Sequence, residues 1–134
     1  MPASSFCEPN SDVSPATWNW FALRGDDARP LFAFAGVWRA WNGPIKKDGP
    51  NVEQQQYSFM TTLPNSLVGT VNHERMPVLL TREEEFEQWL TGTPDEAFAL
   101  VKSYDPDGMS MVQSGYDKMD LLGVSSVEAN GTLL

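Results

Sequence analysis

Asn72-His73-Glu74-Arg75-Met76-Pro77-Val78-Leu79-Leu80 is the stretch on which the reading of this chain turns. Its second half is an apolar run of strand length and reads as a buried strand. Its first half carries the only histidine among 134 residues, two positions before an arginine. Imidazole is the side chain whose ordinary pKa permits proton transfer near neutral pH. His73 is therefore the first candidate for acid–base chemistry. The competing reading is a structural hydrogen-bonder at the mouth of a strand.

Working outward, residues 18–23 (WNWFAL) are dense in aromatics and read as a strand. Gly25, Asp26 and Asp27 supply a turn, and residues 30–38 read as a second strand. The two are expected to pair as a β-hairpin with a loop longer than the tight two-residue type. Residues 42–51 contain Asn42-Gly43, Gly43-Pro44 and Asp48-Gly49, which predicts a surface loop. Residues 57–62 alternate and end in threonines, as a strand does. Asn65 is placed to cap a short helix running to Val71. Thr81 with Glu84 fits a capping box, with Phe86, Trp89 and Leu90 on one side of the helix. Thr93 with Glu96 repeats the device, with Pro94 at the first helical position and Ala97, Leu100 and Val101 as the buried stripe. Residues 105–108 form a turn and residues 109–112 a last strand. From Gly123 the chain is rich in Ser, Gly and Asn and reads as a flexible tail. The expectation is one α+β domain over residues 1–122, a strand-rich mixed or antiparallel sheet with short helices, followed by the tail 123–134.

The length suits a single domain, and a hydrophobic fraction of 41% suffices for a core. No run approaches the roughly 18 apolar residues of a membrane span. Residues 1–8 lack a basic segment followed by an apolar one, so cytoplasmic residence is the default expectation. The single cysteine, Cys7, excludes an intrachain disulfide and a multi-cysteine zinc site. No metal or cofactor is implied. The net charge is −9. Residues 51–134 hold thirteen acidic and four basic side chains, against five of each in residues 1–50. Acidity of this size argues against contact with phosphates. Glu83, Glu84, Glu85, Glu87, Asp95 and Glu96, however, cluster near expected helix starts, where carboxylates complement the helix dipole. The chain also enters a strand near residues 5–8 with no lead-in, and that strand's partner is not evident in the sequence. The expectation is that an N-terminal portion is missing.

Four blocks of sequence are similar to a known pattern. Residues 2–8 (PASSFCE) resemble a P-A-x-G-[FWY]-x-E strand, and residues 34–41 (FAGVWRAW) an A-G-[LIV]-[WF] segment. Thr61-Thr62 followed by Asn65 and then His73 has a T-T-x-A-N…H spacing. His73-Glu74-Arg75-Met76-Pro77 resembles an H-x-R-M-P signature. Over residues 1–122 the chain thus resembles the C-terminal half of the SOS response-associated peptidase (SRAP) family, whose members handle abasic sites in single-stranded DNA. The resemblance implies a strand-rich SRAP-like fold. It also implies a DNA-damage role: covalent crosslinking to abasic sites in single-stranded DNA, with thiol autopeptidase character. Location would be cytoplasmic, and on the nucleoid when DNA is bound. It puts Glu8 and His73 on the family's catalytic glutamate and histidine, and Arg75, Thr62 and Asn65 on the DNA. The departure lies at residue two, where the family has its nucleophilic cysteine and this chain has Pro2. A truncated copy, inactive alone, follows from that departure.

The chemistry so implied starts from the aldehyde of a ring-opened abasic sugar. The amine of a terminal cysteine attacks it to give a Schiff base, and the thiolate closes a thiazolidine. Such steps need proton donors and acceptors beside the aldehyde. Glu8, between Phe6 and Pro9, suits a carboxyl with a raised pKa. His73 would protonate the sugar oxygen. Arg75 lies two residues on, on the same face of a strand, where it could hold a phosphate. Thr62 would add a hydroxyl. Against these stand blander readings: Glu8 as an edge-strand carboxylate, Arg75 paired with Glu74 or the acidic helix, Thr62 as an ordinary strand residue, and Trp38 and Trp41 as core or rim packing residues, a reading favoured over base stacking on a single strand. Strand alternation puts Cys7 on the face opposite Phe6 and Glu8, as a small buried hydrophobe. A Cys7–His73 protease dyad is the remaining option for the thiol. The alternative to an enzyme is a non-catalytic remnant that binds single-stranded DNA or a protein partner weakly. A third reading is an unrelated acidic domain with a structural histidine.

Overall fold

The computed structural model describes residues 1–25, 29–72 and 74–121. His73 and the expected tail, residues 123–134, lie outside the described residues, as does most of the turn after Gly25. The architecture is α+β and strand-rich, and every strand pairing is antiparallel.

The described residues form ten strands and two short α-helices. One three-stranded sheet has β3 (Thr17–Leu23) at its centre, flanked by β2 (Phe6–Asn10) and β10 (Met109–Gly115). A second has β4 (Phe32–Phe34) between β1 (Pro2–Ala3) and β9 (Leu79–Leu80). β5 (Gly36–Pro44) pairs with β6 (Asn51–Phe59) as a long ribbon, and β7 (Thr61–Thr62) pairs with β8 (Met76–Pro77). Helices α1 (Glu83–Thr91) and α2 (Pro94–Phe98) follow β9.

A junction explains why so many strands are short. Ala35, Met60 and Val78 separate β4 from β5, β6 from β7, and β8 from β9. Their backbones close a ring: Ala35 N–H donates to Val78 (3.1 Å), Val78 N–H to Met60 (2.9 Å), and Met60 N–H to Ala35 (2.9 Å). Every amide at the bend is thereby satisfied, as buried backbone requires. Ala35 and Val78 are wholly buried there.

The core lies between the two three-stranded sheets. Phe6 faces Phe21 across β2 and β3 at 5.5 Å, and Phe32, Leu79, Met76, Met109 and Val68 complete the cluster. The period-two alternation of β3 sends Phe21 and Leu23 inward, with Asn19 on the same face. A second cluster joins Ala35, Val78 and Leu80 to Leu100, with Phe86 and Trp89 of α1 lying against it. Trp89 fixes α1 to the junction by donating its indole N–H to the Gly36 carbonyl at 2.8 Å.

Several expectations are corrected. Residues 18–23 and 30–38 do not form a hairpin: β3 pairs with β2 and β10, whereas β4 pairs with β1 and β9. Residues 30–38 are two strands that part at Ala35. The strand at residues 6–10 has its partner within this chain, namely β3. Residues 42–44 are not loop but the end of β5, paired with residues 51–53. The box that starts α1 sits one residue later than expected. Glu85 accepts from the Thr81 and Arg82 amides at 2.8 and 3.2 Å, and Leu90 is 78% exposed rather than packed. The Thr93–Glu96 box stands as read, with Glu96 accepting from the Thr93 amide at 2.7 Å. Among the described residues no helix is long and apolar enough to cross a membrane.

Candidate functional site

Glu8 is placed by the same alternation that buries Phe6. Two residues beyond Phe6 on β2, it lies on the core-facing side where the apolar cluster ends, opposite Asn19 of β3. β2 is an edge of its sheet, which is why Pro9, lacking an N–H, is tolerated there. Asn19 is 2% exposed, a buried amide in an otherwise aromatic strand. Its side chain donates to the Glu8 carbonyl at 3.3 Å and accepts from the Ser114 hydroxyl at 2.7 Å, locking β2, β3 and β10 together beneath the carboxylate.

The Glu8 carboxylate is half-buried and accepts a hydrogen bond from the Asn72 side-chain amide at 2.8 Å. Burial pushes its pKa up from 4.5, and the bond from Asn72 partly offsets the rise. Asn72 also reaches forward. Its Oδ1 accepts from the amides of Glu74 (3.0 Å) and Arg75 (3.3 Å), an Asx turn that folds the chain back on itself. One side chain therefore ties Glu8 to the backbone amides of Glu74 and Arg75.

The segment leading to Asn72 is held from below by Asn65. That residue is 8% exposed. Its Oδ1 accepts from Val68 N–H (2.9 Å) and Leu67 N–H (3.2 Å), and its amide donates to the Tyr104 carbonyl (2.8 Å) and approaches the Met109 sulfur (3.3 Å). The expected capping function is there, although the segment forms only a single 3-10 turn, Val68–Thr70. Both ends of the Asn65 side chain are engaged within the protein.

Arg75 is exposed and does not pair with Glu74 or the acidic helix. It grips Thr61 instead, donating from Nε to the hydroxyl (2.5 Å) and from Nη2 to the carbonyl (2.7 Å). Thr62, half-buried, pairs through its backbone with Met76. The structure thus brings Glu8 to Asn72, Arg75 to Thr61 and Thr62 to Met76, and sets Asn65 beneath them. Cys7 lies opposite Trp20 and is half-buried rather than fully buried. Burial raises its thiol pKa above 9.0, Asn19 lowers it somewhat and the Glu8 charge raises it further, so it is a neutral thiol and not a thiolate at pH 7.

Asn72 and Asn19 were not singled out from the sequence. The signal for Asn19 was a lone amide inside an aromatic strand. For Asn72 it was an asparagine directly before the only histidine, where an Asx turn is expected.

With this geometry in view, comparison with known proteins gives the lineage. The profile of the SOS response associated peptidase (SRAP) family matches residues 1–115. The chain belongs to that family. It is 40% identical over 86 residues to abasic site processing protein YoqW of Bacillus subtilis (strain 168) and to the protein of that name from Bacillus phage SPbeta. It is 33% identical over 91 residues to abasic site processing protein YoaM of Bacillus subtilis (strain 168). Each match covers 62% of this chain and 35% of the relative. The chain therefore spans about a third of the length of those relatives.

Proposed function

We propose that this SRAP chain takes part in abasic-site processing in the DNA-damage response, contributing the glutamate–histidine side of a site for a ring-opened abasic sugar in single-stranded DNA. The observation that carries the reading is the Asn72 side chain. It bonds the Glu8 carboxylate at 2.8 Å and also the amides of Glu74 and Arg75, which supports a reading in which the neighbouring histidine works with that carboxylate. Glu8, with its pKa raised by burial, is suited to pass a proton to and from a carbinolamine. His73 would act on the sugar oxygen. Arg75 and Thr62 would meet the phosphate, the guanidinium turning from Thr61 to do so. Asn65 would serve by shaping the loop.

The family-type crosslink requires a cysteine with a free amine. Cys7, the one thiol in these 134 residues, has its nitrogen in a peptide bond and is protonated at pH 7. These residues by themselves therefore form no thiazolidine with an abasic strand. Their contribution is recognition and proton transfer.

The test uses two oligonucleotides of one sequence, intact and with a single abasic site. The expected results are no denaturant-resistant adduct on a gel with either strand, and tighter reversible binding of the abasic strand. Glu8→Gln and His73→Ala should abolish that preference. A covalent band surviving Cys7→Ala, or equal affinity for both strands, would overturn the proposal. Equal affinity would leave a non-catalytic binding module.

A further inference from the structure

The β5–β6 ribbon takes no part in the site above, yet it has the most unusual surface of the molecule. Trp38 and Tyr57 are directly paired across it and are 70% and 76% exposed. Neither belongs to a core cluster, and among the described residues neither strand pairs with a third. Folding does not require these rings to be aromatic. They nevertheless continue an aromatic row from the site outward. Phe6, two residues from Glu8, meets Phe34 edge-on at 6.2 Å, Phe34 stacks on Phe59 at 5.1 Å, and Phe59 lies two residues from Tyr57 on the same face.

Charge singles out the same ribbon. Residues 36–59 contain Arg39, Lys46 and Lys47 against Asp48 and Glu53, a net of +1, so the other 110 residues carry −10 of the total of −9. On the ribbon's other face the Trp41 indole lies flat over Gly43, where any Cβ would strike the ring. Asn42, Glu53, Gln54 and Gln55 line a shallow groove beside it. Exposed aromatic planes on a strand pair whose connecting turn carries two lysines, in an otherwise acidic protein, suit bases stacked along a phosphate backbone better than an apolar protein surface.

We infer that the β5–β6 ribbon is a stacking platform for the unmodified bases of the DNA strand flanking the Glu8 site, with Trp38 and Tyr57 as stacking rings and Lys46 and Lys47, in the turn at its tip, as phosphate partners. The inference rests on the proposed function for the identity of the polymer. It adds a second contact region that holds the strand independently of the lesion.

The experiment titrates the full chain into a fluorescein-labelled single-stranded oligothymidine without a lesion, at low salt, and reads anisotropy. Trp38→Ala/Tyr57→Ala should weaken binding about tenfold or more, whereas Trp38→Phe should stay within about threefold, because stacking tolerates any aromatic plane. Lys46→Gln/Lys47→Gln should flatten the dependence of log affinity on log salt by about one unit. Both rings are exposed, so the double variant keeps its core. Wild-type affinity in the double variant would overturn the inference, as would an effect of the double variant on sedimentation alone, which would mark the ribbon as a contact between copies. The lesion preference tested above is a ratio between two strands and is read separately, so either idea can fail without the other.

Discussion

Replacing Asn65 with alanine tests how the segment that ends at Asn72 is built. The side chain makes two short bonds to backbone groups in a buried setting, accepting from Val68 N–H at 2.9 Å and donating to the Tyr104 carbonyl at 2.8 Å. Truncation strands both partners, and a buried backbone group without a partner costs about 1–3 kcal/mol. The longer contacts to Leu67 and Met109 add little. An expected loss of about 3 kcal/mol follows, a large part of the roughly 5–15 kcal/mol typical of a domain, and equivalent to a fall in melting temperature of about 10 °C. Urea denaturation measures it, with an unchanged slope as the sign that only stability has altered. Asn65→Asp refines the test. It keeps the acceptor for Val68 but turns a carboxylate toward the Tyr104 carbonyl, so its defect should shrink as pH falls and the acid regains a proton to donate. A loss below about 1 kcal/mol for Asn65→Ala would refute the reasoning, since these bonds would then not be holding the segment.

Further outcomes are expected. Because burial raises the Glu8 pKa above 4.5, the folded protein holds a proton that the unfolded chain has already lost. The stabilisation from this group is complete below the ordinary glutamate value and is lost as pH rises through the folded value. Relative to wild type, Glu8→Gln should therefore gain stability across that window, and denaturation at a series of pH values would show it. Glu85 behaves oppositely. Burial raises its pKa, but the Thr81 and Arg82 amides and the Arg82 guanidinium more than reverse this. Its contribution is present above the ordinary value and lost as pH falls, so Glu85→Gln should erase part of the acid sensitivity measured in the same way. Gly43→Ala should push the Trp41 indole off the ribbon, with a red shift of tryptophan emission and less than about 1 kcal/mol of stability lost, because the site is on the surface.

Local chemistry was legible in the sequence, and partner choice was not. The Thr93–Glu96 box, the strand at residues 18–23, the turn at residues 105–108 and the capping by Asn65 all depend on neighbours a few positions away. They are found as read or shifted by one residue. The hairpin assigned to residues 18–38 failed because pairing is decided by which sheets close around the core. Phe21 and Phe32 both serve that core from different sheets. Leu90 was placed inside by helical spacing, yet Phe86 and Trp89 already fill the contact with the junction. Glu8 could be identified through its surrounding motif. Its tie to Asn72 spans 64 positions of chain and left only an Asx-turn signal beside the histidine.

The closed ring of backbone bonds among Ala35, Met60 and Val78 has a consequence for how such a protein can vary. Among the described residues, everything distal to it on β5 and β6 pairs only within the ribbon, so residues inserted two at a time into both strands would lengthen the arm while leaving the phase of every inward-pointing side chain untouched. The reach of the arm and the make-up of the corner around Glu8 and Asn72 are thereby free to diverge separately, and a designer could graft arms of other lengths onto the same base.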